Sequence, residues 1–138
     1  MHKSLLLHTM LVSAILLVVL HAMGVYLYFY WIFTWFDVLM HFLGGLTGGL
    51  IVVWSLVEMS IFDKYHPTPK ELVVVVVTSV LIVALAWEVF EYVYDIIEET
   101  STKDYIRDTV EDIFLGTLGA LLVGLFARRF ISPTPQSY

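Results

Sequence analysis

Apolar and polar positions along this chain are sorted into long blocks. Four stretches are apolar almost throughout, and short polar connections separate them. They cover about residues 4–29, 35–57, 71–97 and 104–127. Each is as long as the roughly 20 residues an α-helix needs to cross a bilayer. The run Val73–Val77 would suit a strand in water, but no strand partners or turn signals surround it, so its length favours a spanning helix. The pattern predicts an all-α protein, a four-helix transmembrane bundle. It forms one integral membrane domain over residues 1–138, with 128–138 as a cytoplasmic tail.

Local signals sharpen the boundaries. Met1–Lys3 ahead of an apolar run could suggest a signal peptide. The run exceeds the roughly 7–15 residues of a signal core, which favours a retained helix. Tyr26–Phe36 (YLYFYWIFTWF) reads as an aromatic belt at the membrane boundary, wrapped around a short turn. Thr68, Pro69 and Glu71 suit the N-cap, N1 and N3 positions of a helix start, and Ser101–Asp104 offers a second capping box. Gly44/Gly48 and Gly45/Gly49 form two overlapping GxxxG patterns, which let another helix backbone come close. Gly116, Gly119, Ala120 and Gly124 give the fourth stretch a similar set of small residues.

Composition supports the membrane reading and removes several function classes. The chain is 59% hydrophobic and 14% charged, against about 25% charged in a soluble globule. Its mean hydropathy is +0.86. A net charge of −6 without Lys/Arg clusters argues against nucleic acid. There is no Cys, which excludes disulfides, thiolate metal sites and thiol catalysis. No P-loop, dinucleotide fingerprint, nucleophile motif or haem-ligand pair is present. Lys3, Lys64, Lys70, Arg128 and Arg129 flank one side of the four stretches; Lys103 and Arg107 flank the other. The positive-inside rule then places both termini in the cytoplasm of a plasma (inner) membrane and turns the aromatic belt outward.

The polar residues that interrupt the apolar stretches carry the candidate chemistry. Asp37 and His41 are i, i+4 on the second. Glu88, Glu91 and Asp95 are i, i+3, i+7 on the third, and Asp108 and Asp112 are i, i+4 on the fourth. Each set falls on one helical stripe. Antiparallel crossing brings the start of the second stretch, the end of the third and the start of the fourth to one side. Depths roughly agree, with His41 about 6 Å below Asp37 and Glu88 about 10 Å below Asp95. Six carboxylates gathered in low dielectric must be neutralised, hydrated or shared with cations. Arg107 could offset one. Oxygen donors with one imidazole suit Mg²⁺, Mn²⁺, Fe²⁺ or Zn²⁺. The expected site is therefore a divalent metal held by Asp37, His41, Glu88, Glu91, Asp95, Asp108 and Asp112. Glu98, Glu99, Asp104 and Glu111 read as solvated. His8 and His21 read as histidines bonded to a neighbouring helix; Tyr28 lies on the face of His21 one heptad later.

Three motifs carry a resemblance. W-F-D-x-x-x-H-F-x-G-G at Trp35–Gly45, W-E-x-x-E-x-x-x-D at Trp87–Asp95 and D-T-x-x-D-x-x-x-G-x-x-G-A at Asp108–Ala120 resemble the YjdF-like family of small inner-membrane proteins. They are more distantly similar to VanZ-like membrane proteins. The resemblance spans about residues 35–125 and implies a multi-pass bundle in a bacterial or archaeal plasma membrane. It implies no particular activity.

Three functions compete for such a chain. The first is a metal-dependent enzyme acting on a lipid or lipid-linked substrate at the outer face, with the catalytic residues unassigned. The second is a structural or regulatory membrane module with the polar layer as glue between helices. The third is a proton or cation carrier; four helices without an inverted repeat offer no second gate, and a homo-oligomer would have to supply the path. Membrane lipids are the expected partners in all three.

Overall fold

The computed structural model describes residues 2–59, 61, 67–94 and 102–127. Among these there is no strand. The elements are α1 (His2–Tyr26), a single turn α2 (Phe29–Ile32), α3 (Thr34–Glu58), α4 (Pro69–Tyr94) and α5 (Thr102–Phe126). Four of the five are long and apolar enough to cross a membrane. The last residues of the third apolar stretch, the Ser101 cap and the expected tail 128–138 lie outside the described residues.

Termini follow local chemistry. At the start of α4, Thr68 Oγ1 accepts from the Glu71 backbone N–H at 3.2 Å, and Glu71 Oε2 accepts from the Thr68 N–H at 2.7 Å. This reciprocal box satisfies donors that the first turn otherwise leaves without partners. The first helix stops at Tyr26, three residues before the expected end. Tyr28 adopts a left-handed backbone, φ 60° and ψ 29°, and reverses the chain into α2. That conformation costs a non-glycine residue roughly 1–2 kcal/mol. The ring packing of Tyr28 on Trp31, centroids 5.5 Å apart, accompanies the turn.

The helices do not contact one another equally. The α3–α5 pair is the most extensive, followed by α4–α5 and α1–α3; α3 and α4 also touch, whereas α1 and α4 make at most marginal contact. Backbone approach explains the first pair. A Cβ on Gly45 would run into the Gly116 carbonyl, and one on Gly119 would meet the Phe42 carbonyl and lie 2.7 Å from Leu46 N. Side chains at these points would force the helices apart, so small residues set the crossing. Only one of the two GxxxG patterns serves this end. Gly45 and Gly49 face α5, while a Cβ on Gly44 would meet nothing within 4 Å and one on Gly48 would meet the Val80 side chain. The reason is angular. Successive residues turn about 100° around the axis, so the neighbouring register looks toward a different part of the bundle.

Polar and apolar cores occupy opposite halves. Val53 and Val57 of α3, Leu72 and Val76 of α4, and Val123 of α5 pack with Leu6 of α1 in the half away from α2. Ser13 of α1 and the buried Thr47 of α3 share a hydrogen bond of 2.6 Å near mid-span. Large aliphatic side chains such as Val12, Ile15 and Val18 on α1, and Val74, Ile82 and Val83 on α4, are exposed. Acyl chains solvate such a surface without the penalty that water would impose.

Candidate functional site

The α2 half of the bundle holds the ionisable side chains of the expected site. Asp37 lies in the first turn of α3, where the helix dipole favours a negative charge. His41 follows one turn later on the same face. Gly45 is four residues beyond His41, and Gly116 is four beyond Asp112. Helices α3 and α5 run in the same direction from the α2 end. Close contact at the glycine pair therefore sets His41 and Asp112 opposite each other, about 6 Å nearer that end.

His41 Nε2 stands 3.5 Å from Asp37 Oδ1 and 3.5 Å from Asp112 Oδ2. Asp112 is 3% exposed. Asp37 is the more open partner, its side chain 33% exposed. Both separations exceed the roughly 2.7–3.2 Å of an ordinary N–H···O bond. They match the edge of a tetrahedron whose corners lie ~2.0–2.1 Å from a central ion, which is about 3.3–3.5 Å. One donor atom from each of Asp37, His41 and Asp112 lies within 4.8 Å of the other two, so these three residues could hold a single cation.

Of the remaining expected ligands, Glu88, Glu91 and Asp108 stand around this trio. Glu88 of α4 is 6% exposed, and the buried Thr109 hydroxyl of α5, otherwise unpartnered among the described residues, faces it. Glu91 accepts a 2.8 Å hydrogen bond from Trp87 Nε1. Both glutamates lie within electrostatic range of His41 and Asp37. Asp108 sits one turn above Asp112 and acts on it through charge. Asp95 lies outside the described residues. Among the described residues no Lys or Arg forms an ion pair with Asp37, Glu88 or Asp112. Arg107, expected to offset one carboxylate of the cluster, pairs with Glu111 at 2.9 Å on an exposed face.

Two contributors escaped the sequence pattern. Thr109 is a helix-interior threonine with nothing in its spacing to separate it from a lipid-facing one. Tyr30 belongs to the aromatic belt, yet its hydroxyl bonds to His21 Nδ1 at 2.8 Å. Burial, with the charges of Asp37 and then Glu91 adding to it, pushes the Tyr30 phenol up to about 12. Tyr28, expected on the face of His21, is exposed. Helical register does not extend past Tyr26, so the heptad relation fails there. His8 bonds within its own helix, to the Ser4 carbonyl.

Comparison with known proteins adds a family. A family model described as "Predicted membrane protein (DUF2238)" matches residues 2–132, nearly the whole chain and all four spans. No curated protein matches, and no solved structure does. With its four apolar spans and the three motifs at Trp35–Gly45, Trp87–Asp95 and Asp108–Ala120, this chain is a membrane protein that belongs to the DUF2238 family, in agreement with its YjdF-like resemblance.

Proposed function

We propose that Asp37, His41 and Asp112 bind one divalent cation and that the protein is a metal-dependent membrane enzyme acting on a lipid or lipid-linked substrate. The observation that carries this reading is the placement of His41 Nε2 at 3.5 Å from carboxylates of two different helices. Two anionic oxygens and one imidazole suit Zn²⁺, Fe²⁺, Mn²⁺ or Mg²⁺. A cation would also offset the charge of buried Asp112, for which no Lys or Arg ion pair is present among the described residues. Bound there, the ion would polarise a phosphoryl or carbonyl oxygen or lower the pKa of a bound water. Glu88, buried beside the Thr109 hydroxyl, would serve as a further ligand or receive a proton. By the charge rule above, the site would lie under the outer face of an inner membrane.

Elemental analysis of the full chain, purified without chelators, tests the metal. Wild-type protein is expected to carry stoichiometric metal, His41→Ala and Asp112→Asn to lose it, and Glu111→Gln to keep it, because Glu111 is exposed and engaged with Arg107. Wild-type protein free of metal in such a preparation overturns the reading. A second reading treats the polar layer as glue between helices, a device this chain already uses at Ser13–Thr47. It gains if Asp112→Asn is metal-free like the wild type and at least as stable.

A further inference from the structure

The bundle leaves open space beside α3 at Gly44. Helices α1 and α4 both pack beside α3, yet they make at most marginal contact with each other. Thr47 faces Ser13 of α1 and Gly48 faces Val80 of α4, and at about 100° per residue Gly44 falls between these two directions on α3. It is a mid-helix residue one turn below His41, on the stripe that also carries Asp37, and a Cβ placed there would meet nothing within 4 Å. The same helix, one residue further on, is filled by the backbone of α5. The space at Gly44 is thus a local feature and not a general looseness of packing. Glycine is a poor helix former, so one that accommodates no neighbour is unfavourable unless its space is used. Two turns further along the stripe Ile51 is 44% exposed. At the other end, Asp37 is the open member of the cluster and Asp112 the enclosed one.

We infer that this cleft between α1 and α4, floored by α3 at Gly44, seats an acyl chain of a membrane lipid whose oxygen-bearing head reaches the Asp37–His41–Asp112 cluster. The inference rests on the metal-enzyme reading for what happens at the head and supplies the substrate class and its route. Gly44 and Ile51 lie inside a membrane span, so the medium that meets the cleft is hydrocarbon. From His41 to Ile51 the helix rises about 15 Å. That equals roughly half of the ~30 Å hydrocarbon core, the reach of one leaflet's chains. A chain lying in the cleft would bring its head to the polar end without leaving its leaflet. The glycine lets it lie close against the helix, and the half-open Asp37 marks the side from which the head approaches the ion.

The test uses the full chain in vesicles of phosphatidylethanolamine and phosphatidylglycerol that include phosphatidylglycerol with a photoreactive diazirine on one acyl chain. After photolysis, the label on the peptide containing Gly44 is expected to exceed that on the outward face of α1 around Ile15 several-fold. Gly44→Phe, which fills the cleft with its ring, is expected to lower that label several-fold and leave bound metal unchanged. Ile15→Phe, on a surface already facing lipid, is expected to change neither. Labelling at Gly44 no stronger than at Ile15 overturns the inference whether or not Gly44→Phe folds. So does labelling that Gly44→Phe leaves intact, or cross-links joining two copies of the chain through this face. A wild-type protein that lacks metal but still shows the Gly44-dependent label sinks the metal reading alone and supports the cleft.

Discussion

At the edge of the acidic layer, the Tyr30 hydroxyl is held by His21 and faces the charges of Asp37 and Glu91. Burial raises the work of making a phenolate most, and the charges of Asp37 and then Glu91 add to it. The sign for stability follows. Below about pH 10 the phenol is protonated in both folded and unfolded chains, so pH has no effect through this group. Between that pH and about 12 the unfolded chain releases its proton while the folded one retains it, and stability falls as pH rises through this window. In an alkaline ultraviolet titration, the signal lost in Tyr30→Phe is therefore expected to have its midpoint near 12; a midpoint near 10 would show that the hydroxyl does not lie in this environment. Periodicity could not have found Tyr30. It sits on a one-turn helix after a left-handed residue, and the register that links His21 to later positions ends at Tyr26. Asp37, His41 and Asp112 were legible for the opposite reason. Each is an ionisable side chain within an apolar helix, where such a group is expensive enough to stand out without any knowledge of its neighbours.

Among the elements, α3 shows how two similar motifs come to different ends. Gly44/Gly48 and Gly45/Gly49 are equivalent as strings, but α5 approaches along the azimuth of Gly45. Adding a methyl group distinguishes them. Gly45→Ala places its Cβ against the Gly116 carbonyl and is expected to cost about 1–3 kcal/mol, as overpacking does. Gly44→Ala meets nothing and is expected to be neutral or to gain up to about 1 kcal/mol from helix propensity. Thermal unfolding in detergent, followed by circular dichroism, checks both. Equal shifts for the two variants would mean that α5 is misplaced. On the other flank of α3, Thr47→Val removes the Ser13 bond and is expected to cost about 0.6 kcal/mol, the average for hydrogen bonds between membrane helices. Helix existence was readable because it depends on the chain alone: length, apolar content and the Thr68–Glu71 box. The azimuth of contact was not, since it depends on which neighbour arrives and at what angle.

For the whole molecule, the division into an apolar half and a polar half gives the bundle a direction. The packed aliphatic side chains lie toward the termini, and the Asp37–His41–Asp112 cluster lies toward α2. Along the sequence, five basic residues flank the apolar stretches on the side of the termini and two flank them on the other side. Lys and Arg are retained on the cytoplasmic side during insertion, so on this asymmetry we propose that the α2 end, and the cluster near it, faces the outside. The chain has no native Cys, which makes the assignment simple to check. Single cysteines at Tyr28→Cys, on the exposed turn before α2, and at Lys70→Cys, at the exposed start of α4, report the two ends separately. In intact cells, a membrane-impermeant maleimide is expected to label Tyr28→Cys readily and Lys70→Cys only after lysis. The reverse pattern would place the acidic layer under the cytoplasmic face. The placement of Asp37, His41 and Asp112 and the open space at Gly44 would survive that result, since both depend on helix packing alone, but the proposed substrate would then be a lipid of the inner leaflet.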